Sequence, residues 1–253
     1  LNLLSREQFT KKTTLLHMPK GTLFLIPVPL AENAAARSFT PYLVDTINSI
    51  SEYIVENEKT ARKFLKEAGL KTPQSELMIH DYGKHNRGSS LTYFFAGLEA
   101  GKSVGLMSEA GCPGVADPGA EIVAEAHKRS IKVVPLVGPS SILLALMASG
   151  FNGQSFTFNG YLPIDKAERA KSVKALEFAT ERADQTQIFI ETPFRNNSLL
   201  EEVLRTCNPK TKLCIACDVT ADTEYIKTMS IEAWRRQVPD LHKRPAIFLL
   251  FHS

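Results

Sequence analysis

The chain has 253 residues, 43% of them hydrophobic, which is enough for two ordinary domains with filled cores and excludes a disordered chain. A total of 30 Lys and Arg against 27 Asp and Glu leaves a formal charge of +3, short of the strongly basic surface of a dedicated nucleic-acid clamp. Four unevenly spaced cysteines exclude a disulfide scaffold, and no apolar run approaches the roughly 20 residues that cross a bilayer, so a cytoplasmic protein with no membrane partner is expected.

Along the chain, residues 1–17 lack a small-residue cleavage site behind a long apolar region and are expected to form a tail, since Met18-Pro19-Lys20-Gly21 stands directly before the first apolar run. Short apolar runs then alternate with helical patterns, the arrangement of an α/β fold. Strands are predicted at 22–26, 52–55, 77–79, 103–107 and 131–136. Between them, Thr40 is placed to cap a helix that has Pro41 at its first position, and a helix over 58–68 stops on Gly69 as a left-handed cap.

The run 103–107 leads into Ser108-Glu109-Ala110-Gly111-Cys112-Pro113-Gly114-Val115-Ala116-Asp117-Pro118-Gly119 and then into a helical pattern over 120–129. In an open parallel sheet, ligands bind beyond the carboxyl ends of strands, where glycines let backbone approach closely and N–H groups face polar ligand atoms. This loop is the first candidate site. Its spacing alone is equally compatible with a rigid connection in which Gly111 and Gly114 supply positive φ and the prolines fix the turn.

Val137-Gly138-Pro139-Ser140-Ser141 interrupts the pattern before an apolar helix over 142–149 closed by Gly150, so domains are expected at 18–137 and 138–253. Further strands are predicted at 155–159, 187–190, 213–218, 224–228 and 246–251. The last three are close in sequence, around a helix at 231–238, which predicts a mixed sheet. Two lobes would leave a cleft between them, a preferred ligand position. Ser140 and Ser141 either cap the following helix or offer its free N–H groups to a ligand. Cys214-Ile215-Ala216-Cys217 has C-x-x-C spacing, but residues three apart on a strand face opposite sides and no second Cys/His pair accompanies them, so no metal is expected. No strand is followed by G-x-G-x-x-G, which disfavours a dinucleotide fold.

Five segments in order carry a resemblance: Gly21-Thr22-Leu23-Phe24-Leu25-Ile26-Pro27-Val28-Pro29, the loop 108–119, Val133-Val134-Pro135-Leu136-Val137-Gly138-Pro139-Ser140-Ser141, Asn159-Gly160-Tyr161-Leu162-Pro163, and Ile190-Glu191-Thr192-Pro193-Phe194-Arg195. Over 18–252 the chain resembles the tetrapyrrole methylase superfamily of S-adenosylmethionine-dependent methyltransferases and, within it, the ribosomal RNA small subunit methyltransferase I family. The resemblance implies a two-lobed α/β fold, each lobe a mostly parallel or mixed sheet flanked by helices, with the donor in the inter-lobe cleft and a homodimeric assembly. It implies S-adenosylmethionine held by Pro29, Glu109, Ala110, Gly111, Val115, Ala116, Asp117, Ser140, Ser141, Leu162 and Ala246. The implied reaction is 2′-O-methylation of a cytidine ribose in small-subunit ribosomal RNA, with the small ribosomal subunit as partner.

Departures from the family pattern fall on the expected substrate side. Glu56-Asn57-Glu58-Lys59 stands where the ribosomal RNA enzymes carry Glu-Asp-Thr-Arg, and Cys217-Asp218-Val219-Thr220-Ala221 where they carry Arg-Glu-Leu-Thr-Lys, thinning the charge available to phosphates. Remaining basic candidates for the substrate are Lys166 and Arg169, in the segment 166–174, and Arg195. A solvated helix face is the plainer role for the first two, and a salt bridge to Glu191 or Glu201 for the third. Methyl transfer from a sulfonium is an in-line displacement served mainly by positioning, so no catalytic triad is required. Asp117, Glu109, Glu191 and His80 all stand open as proton acceptors. Two other functions compete: C-methylation of a tetrapyrrole, weakened by the missing Gly-x-Gly-Pro-Gly turn, and a donor-binding module without catalysis.

Overall fold

The computed structural model describes residues 19–83 and 91–252; the expected tail at 1–17 lies outside them. The first half builds β1 (Thr22–Leu25), α1 (Ala35–Ser38), α2 (Pro41–Asn48), β2 (Glu52–Val55), α3 (Glu58–Glu67), β3 (Met78–Asp81), α4 (Ala96–Glu99), β4 (Val104–Met107), α5 (Ala120–Lys128) and β5 (Lys132–Pro135). These strands form one sheet in the order β3-β2-β4-β1-β5, and every pairing in it is parallel. Such a sheet needs cover on both faces, and the strand alternation supplies it. Tyr53 and Val55 point to one side, where Leu43 and Ile47 of α2 and Phe64 and Leu65 of α3 cover them. Ile54 points to the other, beneath Phe94, Phe95 and Ile122 and Ala126 of α5.

Local chemistry fixes the helix ends. Thr40 accepts from Leu43 N at 3.1 Å ahead of Pro41, and Asn57 accepts from Lys59 N and Thr60 N, so the caps partner one orphan donor at the start of α2 and two at the start of α3. Asn57 is one of the departures noted above, and its side chain is used as this cap. His80, within β3, is buried and paired to Glu52 Oε1 at 2.9 Å.

The second half contains α6 (Ser141–Ser149), β6 (Phe156–Tyr161), α7 (Lys166–Ala183), β7 (Thr186–Ile190), α8 (Asn196–Thr206), β8 (Lys212–Cys217), β9 (Tyr225–Ser230), α9 (Ile231–Arg236) and β10 (Ala246–Phe251). Their sheet runs β6-β7-β10-β8-β9, with β6 and β7 parallel and the remaining pairs antiparallel, a mixed sheet. One face packs Phe189, Ile215, Cys217 and Phe248 against Val173, Leu199, Leu200, Val203 and Trp234. The other packs Cys214, Ala216, Ile247 and Leu249 against Ile142, Ala145 and Leu146 of α6. Cys214 and Cys217 thus face opposite sides, and all four cysteines are unbridged. Trp234, fully buried, donates its indole N–H to Leu213 O at 2.8 Å, so its polar edge is not stranded. Among the described residues, no group of three or more His, Cys, Asp or Glu is placed to hold a metal ion, and no helix is long and apolar enough to cross a membrane.

Candidate donor and substrate site

Because β4, β1 and β5 are parallel neighbours, the loops after them leave the sheet along one edge. Val28 and Gly111 tie the first two together with paired backbone hydrogen bonds of 2.9 and 2.8 Å, and Cys112 Sγ lies 3.4 Å from Pro139 O in the third. Gly111 holds φ +71°, left-handed backbone that suits glycine. Gly138 is required for another reason: a Cβ there would stand 2.1 Å from the Pro27 ring.

Opposite these loops stand the ends of β6, β7 and β8 and the start of β10. The antiparallel register brings that start to the same edge, with Ala246 beside Cys217 and Ile247 beside Ile190. Between the two walls lies a cavity of about 550 Å³, within the size range of small-molecule sites. Small side chains and backbone dominate its lining. The polar side chains are Asp117, Ser140, Ser141, Tyr161, Glu191, Asp218, Thr223, Lys243 and Arg244.

Most of the predicted donor residues come together here: Ala110, Gly111, Val115, Ala116, Asp117, Ser140, Ser141 and Ala246 all line the cavity. Ala116 has φ +63°, unusual for a residue with a Cβ. Ser140 caps α6 through a long contact of 3.5 Å from Leu143 N, and Ser141 is the first residue of that helix. Three predicted residues stand outside the lining. Pro29 precedes Leu30, which does line it; Glu109 donates its backbone N–H to Glu56 at 3.2 Å; Leu162 turns into the second-half core, since its neighbour Tyr161 faces the cavity.

The predicted basic set needs correction. Arg169 is buried, with Nη1 donating to Ile164 O at 3.2 Å and Nη2 3.4 Å from Ser198 Oγ, so it is a core residue of α7 and does not present its charge to a substrate. Helical periodicity turns this position inward while Lys166 stays exposed. Arg195 pairs with Glu191 Oε1 at 2.6 Å, the salt-bridge alternative.

The proton-acceptor candidates separate as well. His80 and Glu109 do not line the cavity, whereas Asp117 and Glu191 do. Glu191 Oε1 also accepts from Thr192 N at 2.6 Å, while its Oε2 is buried without a hydrogen-bond partner. Asp218 is held at φ +50° and accepts from Arg244 Nε at 2.8 Å and Thr223 Oγ1 at 2.9 Å. Burial pushes the Cys112 thiol above its ordinary value. Ala246 and the segment 217–221 are marked by the sequence, whereas Thr223 and Lys243, Arg244 and Pro245 reach this edge through strand order and register, not local sequence.

Comparison with known proteins agrees with this architecture. The model of the Tetrapyrrole (Corrin/Porphyrin) Methylases matches residues 32–234. A Ribosomal RNA small subunit methyltransferase I of Vibrio cholerae is 30% identical over 93% of this chain and 79% of its own length. Another of that name, from Mesorhizobium japonicum, is 31% identical over 83% of this chain and 68% of its own. Among solved structures, the methyltransferase CobJ shares the fold at TM-score 0.59 and 20% identity, covering 92% of this chain and 94% of that one. The chain belongs to the tetrapyrrole methylase family of methyltransferases and, within it, to the ribosomal RNA small subunit methyltransferase I family.

Proposed function

We propose that the inter-lobe cavity binds S-adenosylmethionine and that the chain transfers its methyl group to the 2′-hydroxyl of a cytidine in small-subunit ribosomal RNA. The observation that carries this reading is the convergence of three backbone loops, including the turn at Gly111, on one cavity of about 550 Å³. A lining of small residues and free helix-end groups fits a flat, polar-edged donor of that size. The names borne by the relatives support ribosomal RNA as the acceptor class. The bound donor supplies a methyl group activated by its sulfonium. The protein's part is to orient the reactants and exclude water, which in ideal cases lowers a barrier by about 7–11 kcal/mol. Of the four candidate proton acceptors, Asp117 and Glu191 are the carboxylates that line the cavity. A homodimer is part of this reading, supported by Leu143 and Met147, which are four apart on α6 and both exposed.

The test is a comparison of ribosomes from cells with and without this gene. Loss of one 2′-O-methylcytidine from small-subunit RNA is expected. Unchanged ribose methylation, with donor binding intact in the purified protein, would remove the RNA assignment and favour a tetrapyrrole acceptor.

A further inference from the structure

The turn after β7 and the segment before β10 form a stiff rim at the cavity mouth. Arg195 N donates to Thr192 O at 2.9 Å, and the Glu191–Arg195 ion pair closes the same turn. Lys243 N donates to Pro193 O at 3.0 Å, Asn196 Nδ2 to Arg244 O at 2.6 Å, and Leu241 N to Asn197 Oδ1 at 2.8 Å. Phe194 stands on this rim with 70% of its surface exposed. A single exposed phenylalanine means little, but this one has a cationic and aromatic setting. Lys243 Nζ lies 6.0 Å from its ring centre, and the His242 ring meets it edge-on at 6.0 Å. Lys243 is itself held at φ +61°, a backbone cost of the kind that collects at working sites. Pro193 and Lys243 line the cavity, as does Tyr161, which is 57% exposed at the end of the neighbouring strand.

We propose that Phe194, backed by His242, is a stacking platform for one unpaired base of the RNA substrate, and that Lys243 contacts the adjoining phosphate. The inference rests on the RNA reading above and adds the surface that seats the RNA beside the cavity. A rigid aromatic ring offers a stacking face to any base at little entropic cost, and an adjacent ammonium meets the backbone that every unpaired strand carries. Arg169 is buried and Arg195 is paired with Glu191, whereas Lys243 lies beside the platform with its ammonium 6.0 Å from the ring centre.

The test measures binding of a short unpaired oligoribonucleotide, across a salt series, to wild type, Phe194→Ala, Phe194→Trp and Lys243→Gln. Thermal unfolding of the same samples controls for folding. Phe194→Ala should weaken RNA binding about 10- to 100-fold with an unchanged salt slope, and Phe194→Trp should restore it. Lys243→Gln should reduce the slope of log affinity against log salt by about 0.7. Wild-type protein without RNA affinity would overturn the RNA reading and the platform together. Firm wild-type binding matched by Phe194→Ala would overturn the platform alone, as would a variant that keeps RNA affinity but loses affinity for a polycarboxylate porphyrin.

Discussion

Replacing Gly111 with alanine and with valine separates the stability of the turn from its role in the cavity. At φ +71° an alanine pays about 1–2 kcal/mol for left-handed backbone. The paired hydrogen bonds to Val28 together contribute about 2 kcal/mol, so they hold the turn in place. Its Cβ would lie 3.3 Å from Leu30 Cδ2, a contact that a small shift relieves. Valine adds branching and crowding of about 1–3 kcal/mol, which exceeds what the bridge to Val28 can resist. The turn then relaxes, and the global loss is capped near the bridge's own worth of about 2 kcal/mol, well inside the stability of an ordinary domain. The alanine variant should therefore melt about 2–8 °C lower than wild type and the valine variant about 4–8 °C lower. Only valine should weaken donor binding, by about 5- to 30-fold, because its turn is out of place by about 1–2 kcal/mol and apparent affinity falls with the competent fraction. Calorimetric titration with S-adenosylhomocysteine beside thermal unfolding reads both quantities. Wild-type affinity in a Gly111→Val protein whose melting temperature has fallen would refute donor contact by this turn.

Two further outcomes follow from buried groups. In the folded protein, alkylation should reach Cys112 alone, since the other three cysteines are buried; the reaction should speed up as pH rises past the ordinary thiol range, and saturating donor should suppress it. Equal labelling with and without donor, followed by mass spectrometry, would place Cys112 away from the bound molecule. Burial pushes the Glu202 carboxyl up, but hydrogen bonds from Thr206 at 2.8 Å and from Arg205 outweigh it and hold the group below the usual carboxylate range. A lowered carboxylate stabilises the fold above its unfolded value, near pH 4.3, and that contribution disappears as pH falls through the folded value. The melting-temperature gap between wild type and Glu202→Gln should thus be wide at pH 7 and close below about pH 4; a gap independent of pH would contradict this account.

The strands were the most legible part of the fold, because apolar runs bounded by Gly, Pro and capping residues are a local signal. The expectations at 52–55 and 246–251 coincide with β2 and β10. The third run was expected at 77–79 but β3 extends over Met78–Asp81, since His80 enters the sheet by pairing with the buried Glu52, a partner 28 residues away. α8 had no such signal: Arg195 at its start makes no side-chain cap, and its first turn, Asn196-Asn197-Ser198, reads as loop. Its stability comes from burial of Leu199, Leu200 and Val203. The sequence marks α7 only through the basic segment 166–174, whereas the helix runs to Ala183 and turns Arg169 inward. On the site, the loop 108–119 and Ser140-Ser141 were visible because they follow strands directly. The opposing wall is visible only in part, through Glu191, Ala246 and the segment 217–221, because it is assembled by the crossing order of β7, β10 and β8.

That order also bears on how the chain acquires its shape during synthesis. β10 lies between β7 and β8, so these two apolar strands, made some 30 to 60 residues earlier and paired only with β6 and β9, each keep one edge unpaired until residues 246–251 have left the ribosome. The parallel sheet, in contrast, is complete once β5 has emerged. The nascent protein therefore passes through a state in which one lobe is formed and the other is a pair of open sheet edges, Ile188 and Phe189 on one and Leu213 to Ile215 on the other, exposed to self-association and to chaperones. A ribosome stalled just short of this strand would display an incomplete cavity, with the Gly111 loop in place and the wall opposite it split where β10 belongs.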